Sequence, residues 1–199
     1  MTMKWAAIAL LLAGPVVGGG LDPLVALCDG CHGPDGVSQW SDMPTIAGIS
    51  ELVHADALLA YKDGARPCEE SEFRFGNTSC AATNMCAIAT PMTDAQIEAL
   101  ASYYAAKPFV PAVQEFDPTL AARGASVHEK ACQHCHSDNG SNPDDDASIL
   151  KGQWMGYLQR TFAEYAAGTR EQPPAMKFTM DPLSDADVEA LIHFYAGPD

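Results

Sequence analysis

The chain has 199 residues and carries 26 acidic against 11 basic side chains, a formal net charge of −15. That balance argues against nucleic acid and against anionic lipid surfaces, and suits a soluble protein that meets basic partners.

Residues 1–20 read as a signal peptide rather than as part of the fold. Lys4 supplies a positive start, Trp5 to Val17 an almost unbroken apolar run, and Gly18, Gly19 and Gly20 the small residues of a cleavage region. The run is short for a membrane span, and no other stretch approaches spanning length. An uncleaved N-terminal anchor is the rival reading. Export to an oxidising compartment, a bacterial periplasm, is the expectation.

Asp22-Pro23 sets a capping acid before a proline of a first helical turn. The helix it predicts runs into Cys28-Asp29-Gly30-Cys31-His32, and Cys132-Gln133-His134-Cys135-His136 repeats the pattern. Cys-x-x-Cys-His is the attachment site of a c-type haem. Each thiol adds across a vinyl group to form a thioether, and the adjacent His turns its imidazole onto the iron. A redox Cys-x-x-Cys pair or half of a zinc site would not need the His in both copies. Two covalently bound haem c groups are therefore expected.

Leu52 to Tyr61 reads as a middle helix, followed by Arg66. Thr93 caps a closing helix, with Gln96 completing a capping box, and Ile97, Leu100, Ala101 and Tyr104 share one face. Lys107-Pro108-Phe109-Val110-Pro111 opens a linker that proline stiffens. Its Phe109, Val110 and Phe116 are too apolar for a free tether, so it should lie packed along both halves. Asp117-Pro118 then starts the second half, Trp154 to Ala167 is its middle helix, and Ser184 with Asp187 is a looser version of the capping box.

The halves form an internal repeat. Cys28 and Cys132 stand 104 apart, as do Gly48 and Gly152, Tyr61 and Tyr165, Gly64 and Gly168, and Arg66 and Arg170. From Thr93 and Ser184 onward the offset is 91, so the first half holds 13 extra residues between Arg66 and Met85. Nothing alternates as strand. The reading is an all-α chain of two tandem cytochrome c domains. The first covers 21–107 with a cysteine-bearing insertion at about 67–84, the linker 108–118, and the second domain 119–199. Cys68, Cys80 and Cys86 allow three pairings. Cys68 with Cys86 would close the insertion at its feet, and Cys68 with Cys80 is a serious rival.

The repeat also selects sixth ligands. Met85 and Met176 are 91 apart and each precedes its Thr or Ser cap by eight residues. A thioether is a soft neutral donor that suits a low-spin haem. The metal set is then His32, Met85, His136 and Met176. Met43, Met92 and Met180 have no methionine at the matching position, and His54, His128 and His193 are unmatched between halves. Arg66 and Arg170 are candidates to pair with haem propionates, since guanidinium suits carboxylate. Trp154 is a candidate to pack on the second haem or its propionates.

With these residues in view, the halves resemble class I cytochromes c in a two-haem arrangement. The second half is similar to the cytochrome subunit of flavocytochrome c sulfide dehydrogenase. Phe116-Asp117-Pro118-Thr119-Leu120-Ala121, Gly124-Ala125, His128-Glu129-Lys130 and Ile149-Leu150-Lys151-Gly152-Gln153-Trp154 with Tyr157-Leu158-Gln159 carry that likeness. It is sharp from about 109 to 159, and the cysteine-bearing insertion departs from it. The resemblance implies an FAD-containing flavoprotein partner that oxidises sulfide and a soluble cytochrome c acceptor. Two other readings are a free-standing carrier feeding a terminal oxidase and a two-haem thiosulfate dehydrogenase, against which the matched methionines argue. No Gly-x-Gly-x-x-Gly is present, so a flavin or nicotinamide would sit on another chain. No catalytic residue is expected in this chain by itself.

Overall fold

The computed structural model describes residues 21–198. The reading of 1–20 as a signal peptide lies outside them. Four helices make the first half: α1 (Leu21–His32), α2 (Glu51–Lys62), α3 (Met85–Ala89) and α4 (Asp94–Ala105). Four make the second: α5 (Pro118–Ala131), α6 (Met155–Ala166), α7 (Pro174–Met180) and α8 (Asp185–Ala196). Among the described residues the only extended pairing is an isolated antiparallel bridge between Ser71 and Thr83. No described helix is long and apolar enough to cross a membrane.

Five of the helices, α2, α3, α4, α5 and α8, start where a side chain takes up backbone N–H groups that have no helical partner. Ser50 accepts from the Val53 N–H, Asn84 from Ala87, and Asp117 from both Thr119 and Leu120. Thr93 with Gln96 and Ser184 with Asp187 each form a complete capping box. The second box is thus tighter than its sequence implies. Aspartate at the third position reaches the Ser184 N–H at 3.1 Å, though its side chain is one methylene shorter than glutamine. Asp22 lies inside α1 rather than before it, because the helix already includes Leu21.

In both halves the last helix crosses the first and closes the core. Ile97, Leu100 and Tyr104 of α4 pack with Cys28, Ile88 and Met92. Leu191, Ile192, Phe194 and Tyr195 of α8 pack with Leu158 of α6. The α5–α8 crossing is closest at Gly124, where a Cβ would overlap the Ala190 carbonyl. Burying these apolar faces is the main driving force, at about 25 cal/mol per Å² of apolar surface.

Loops repeat as faithfully as helices. Gly36 accepts from the Ile46 and Ala47 N–H groups, and Gly140 from those of Leu150 and Lys151. The Gly48 N–H donates to the Tyr104 carbonyl and the Gly152 N–H to that of Tyr195, both at 2.8 Å. The linker lies packed against both halves. Its Phe109 backbone closes on Gly48 and Pro111 on Gly152, both glycines at positive φ. Ala112 donates to the Gly152 carbonyl at 2.7 Å and Gln114 to the Gln153 carbonyl at 2.8 Å.

Candidate haem sites and the seam between them

The first attachment motif ends α1, whereas the second follows α5, whose last helical residue is Ala131. Cys28, Cys31, Cys132 and Cys135 are all unbridged thiols. Burial pushes the Cys28 thiol up to about 11, and it also raises Cys31 and Cys132. A redox-active Cys-x-x-Cys pair needs its attacking thiol lowered, so the raised thiols argue against disulfide exchange.

Both motif histidines are oriented identically. His32 Nδ1 lies 2.9 Å from the Pro44 carbonyl and His136 Nδ1 lies 3.0 Å from that of Ser148. A carbonyl only accepts, so Nδ1 carries the proton and Nε2 keeps its lone pair for a metal. Burial depresses both imidazoles, holding them neutral and competent as ligands. His54 and His128 stay in the cores. His54 is depressed by burial to about 4 and lies against Tyr104, while His128 shares a 3.0 Å hydrogen bond with the Tyr195 hydroxyl.

Met85 opens α3 and packs on the first core cluster; Met176 lies half-buried in α7. Met92 is buried in the first core at 4% exposure, and Met43 and Met180 are half-buried.

Arg66 and Arg170 converge on one region between the halves. Each guanidinium stacks on its own half's tyrosine, Arg66 over Tyr61 at 4.4 Å and Arg170 over Tyr165 at 4.8 Å. Burial would raise the Tyr157 phenol, but Arg170 and Arg66 outweigh it and bring it down to about 8. Arg66 Nε is buried without a hydrogen-bond partner, and Arg170 is 9% exposed. Arg170 already pairs with Glu164 at 3.5 Å and with the Thr161 hydroxyl at 3.2 Å, so Arg66 Nε is the donor left for an anionic group such as a haem carboxylate. Tyr157 has Val53 at its repeat position, so the repeat alone did not mark it.

The seam is held by hydrogen bonds of unusual sequence span. Gln153 grips Thr45 through both amide atoms, accepting from its N–H and donating to its carbonyl, each at 2.9 Å. The Trp154 indole N–H donates to the Ser38 carbonyl at 3.0 Å, and Arg160 to that of Asp42 at 2.9 Å. Trp154 therefore has its polar atom committed to the first half. Gln153 and Trp154 stand where the first half has Ile49 and Ser50. The places where the repeat breaks are the places the seam uses.

A disulfide joins Cys68 and Cys86, with Cα atoms 5.7 Å apart, and Cys80 is a free, exposed thiol.

Comparison with known proteins gives this geometry a context. Residues 119–194 match the family described as cytochrome c oxidase, cbb3-type, subunit III. The chain is 27% identical over 185 residues to cytochrome c4 of Stutzerimonas stutzeri, covering 87% of this chain and 85% of that protein. It is 29% identical over 200 residues to the thiosulfate dehydrogenase electron acceptor of Thiomonas intermedia (strain K12), covering 94% of this chain and 86% of that one. Among solved structures, reduced recombinant cytochrome c4 from Pseudomonas stutzeri superposes with a TM-score of 0.70 at 26% identity, over 89% of this chain and 96% of the other. The fold is two tandem cytochrome c domains. The chain carries two covalent haem c groups.

Proposed function

We infer from a chain that is a two-haem class I cytochrome c, built like the cytochromes c4, that it works as a free-standing periplasmic electron carrier fed by a dehydrogenase of reduced sulfur compounds. When bound, each haem supplies one-electron exchange between ferric and ferrous iron. The residues do the rest. Cys28 and Cys31, and Cys132 and Cys135, fix each group covalently. His32 and His136, held by the Pro44 and Ser148 carbonyls, would offer Nε2 to the iron. Met85 and Met176 would offer thioether donors, which raise the potential of a haem iron and leave it no open position for a small substrate. Arg66 would offer its Nε to a propionate at the seam, and Gln153, Trp154 and Arg160 lock the two domains (21–107 and 119–199) in one relation.

The observation that carries this reading is the identical preparation of both motif histidines on a rigid two-domain frame. The sulfur-compound donor rests on likeness to the thiosulfate dehydrogenase electron acceptor, which spans 94% of the chain. A second reading, the haem subunit of an FAD-containing sulfide dehydrogenase, rests on a likeness that is sharp only within residues 109–159. Both readings make the chain itself no enzyme, because a two-electron sulfur oxidation needs a partner's chemistry.

The haem-loaded chain by itself should be reduced by a small donor and reoxidised by a soluble cytochrome. With sulfide or thiosulfate it should show only slow, unsaturable reduction. Saturable turnover of either compound by the purified chain would overturn the carrier reading. Recovery of a stoichiometric yellow flavoprotein with the chain from periplasm would favour the second reading over the first.

A further inference from the structure

The segment between Arg66 and Met85 has no counterpart in the second half, and it lies on the first attachment motif. The Arg74 and Phe75 N–H groups donate to the Gly30 carbonyl at 2.7 and 3.0 Å, and Cys31 Sγ lies 3.6 Å from the Glu72 carbonyl. The Phe73 ring sits on Gly30, where a Cβ would overlap it.

The motif itself is cut to receive this segment. Position 30 is glycine, but the repeat position in the second half is His134, exposed to solvent. Four residues beyond Gly30 stands Pro34, which has no N–H to offer the Gly30 carbonyl. The first motif therefore offers a bare patch and an orphan carbonyl, and the insertion fills both. Gly30, Pro34 and the insertion are complementary to one another.

The segment is also firmly held. Arg74 makes two 2.6 Å hydrogen bonds to the Asp42 carboxylate and lies 5.6 Å from the Trp40 ring. Ser71 and Thr83 exchange main-chain hydrogen bonds of 2.7 and 2.9 Å, and the Cys68–Cys86 disulfide ties the feet. Exposure records the outcome. Cys28, Cys31 and His32 are 9%, 6% and 7% exposed, whereas their repeat partners Cys132 and His136 are half-buried and Cys135 is exposed.

We propose that the insertion is a fitted cap that closes the first haem motif to protein partners, leaving the second motif as the port for electron exchange with a basic one-electron redox protein. Thioether bonds place the vinyl-derived edge of each haem at its own motif, so covering a motif distances that edge from anything docking there. Exchange at the second motif moves one electron: the chain's ferrous iron is oxidised as the partner's ferric iron is reduced, or the reverse. The net charge of −15 selects the sign of the partner, since complementary charge steers docking. The proposal rests on the carrier reading above, but the first measurement below does not depend on it.

In the fully reduced, haem-loaded chain, a neutral gadolinium chelate should relax the thioether-side methyl resonances of the second haem several-fold more strongly than those of the first. Gly30→His, which puts the second half's residue under Phe73, should erase most of that difference. The Phe73→Gly variant should do the same should the histidine prevent folding. Equal relaxation of the two haems in the unmodified chain would overturn the cap. A nuclear magnetic resonance footprint of a basic single-haem cytochrome c should then fall on residues 132–138. A footprint on 28–31, or on the insertion at 69–77, would overturn the port.

Discussion

His32 and His136 show how little of a haem site has to be left to the haem. Each Nδ1 is already tied to a carbonyl twelve residues downstream, 2.9 and 3.0 Å away. The tautomer and ring direction are thus set by protein alone. The methionines are less strictly placed: Met85 rests on a core cluster, while Met176 is half-buried in a seven-residue helix. If both are axial ligands, Met85→Ala and Met176→Ala should each remove about half of the near-infrared sulfur-to-iron band. Each should also let one haem bind carbon monoxide. An unchanged spectrum in either variant would remove that residue from the ligand set. Met92→Leu, by contrast, should leave the band intact, because Met92 fills the first core at 4% exposure and a volume-conserving swap is tolerated there.

At the scale of elements, the insertion is an irregular segment made rigid by its contacts. The Arg74–Asp42 pair is the least hydrophobic of its anchors and the most dependent on pH. The Arg74 hydrogen bonds hold the Asp42 carboxyl below its ordinary value of 3.8, outweighing the partial burial that would raise it. A depressed folded-state value means that the pair's contribution is complete at neutral pH. It is lost as pH falls through the folded-state value, below the ordinary carboxylate range. Asp42 is half-exposed, so the contribution is about 1 kcal/mol or less. Asp42→Asn should lower stability by that amount at pH 7, with protease cutting faster within 69–84. The two proteins should converge only as pH falls below 3.8, the ordinary carboxylate value, and through the folded-state one. A difference that stays constant across this range would mean that Arg74 and Asp42 do not anchor the segment as an ion pair.

For the molecule as a whole, the seam turns two small domains into one body. Gln153 is 1% exposed and Thr45 0%, so their paired hydrogen bonds are shielded from water. Gln153→Ala would leave the Thr45 N–H and carbonyl without partners, a cost of about 2–4 kcal/mol for two buried groups. Denaturant titration should show one cooperative transition in the parent chain and an earlier, broadened or split one in the variant. An unmoved midpoint would mean that water replaces the glutamine and that the domains are held elsewhere. The linker is the other tie, through the Gln114 contacts to the Gln153 carbonyl and the Met155 N–H, at 2.8 and 2.9 Å.

What the sequence determined by itself is what local chemistry and repetition can encode. Cys-x-x-Cys-His specifies covalent haem attachment within five residues. The 104- and 91-residue offsets relate Gly36 to Gly140, Gly48 to Gly152 and Tyr104 to Tyr195, and the same hydrogen bonds recur at each pair. The first, middle and closing helices of each half follow from their caps and apolar faces, with errors at ends such as Asp22, but the short α3 and α7 were not anticipated. The tertiary structure alone decided what joins residues far apart in the chain. It brought Arg66, Arg170 and Tyr157 together, set Gln153 against Thr45, and laid Phe73 on Gly30. It also settled the Cys68–Cys86 pairing, which the sequence favoured over the rival Cys80. Such contacts carry no periodicity, because they depend on how two finished domains and one inserted segment meet. Apart from the matched Arg66 and Arg170, their trace in the sequence is a departure from the repeat, as at Gly30 against His134 and Trp154 against Ser50. A departure becomes legible only when the surface opposite it is known.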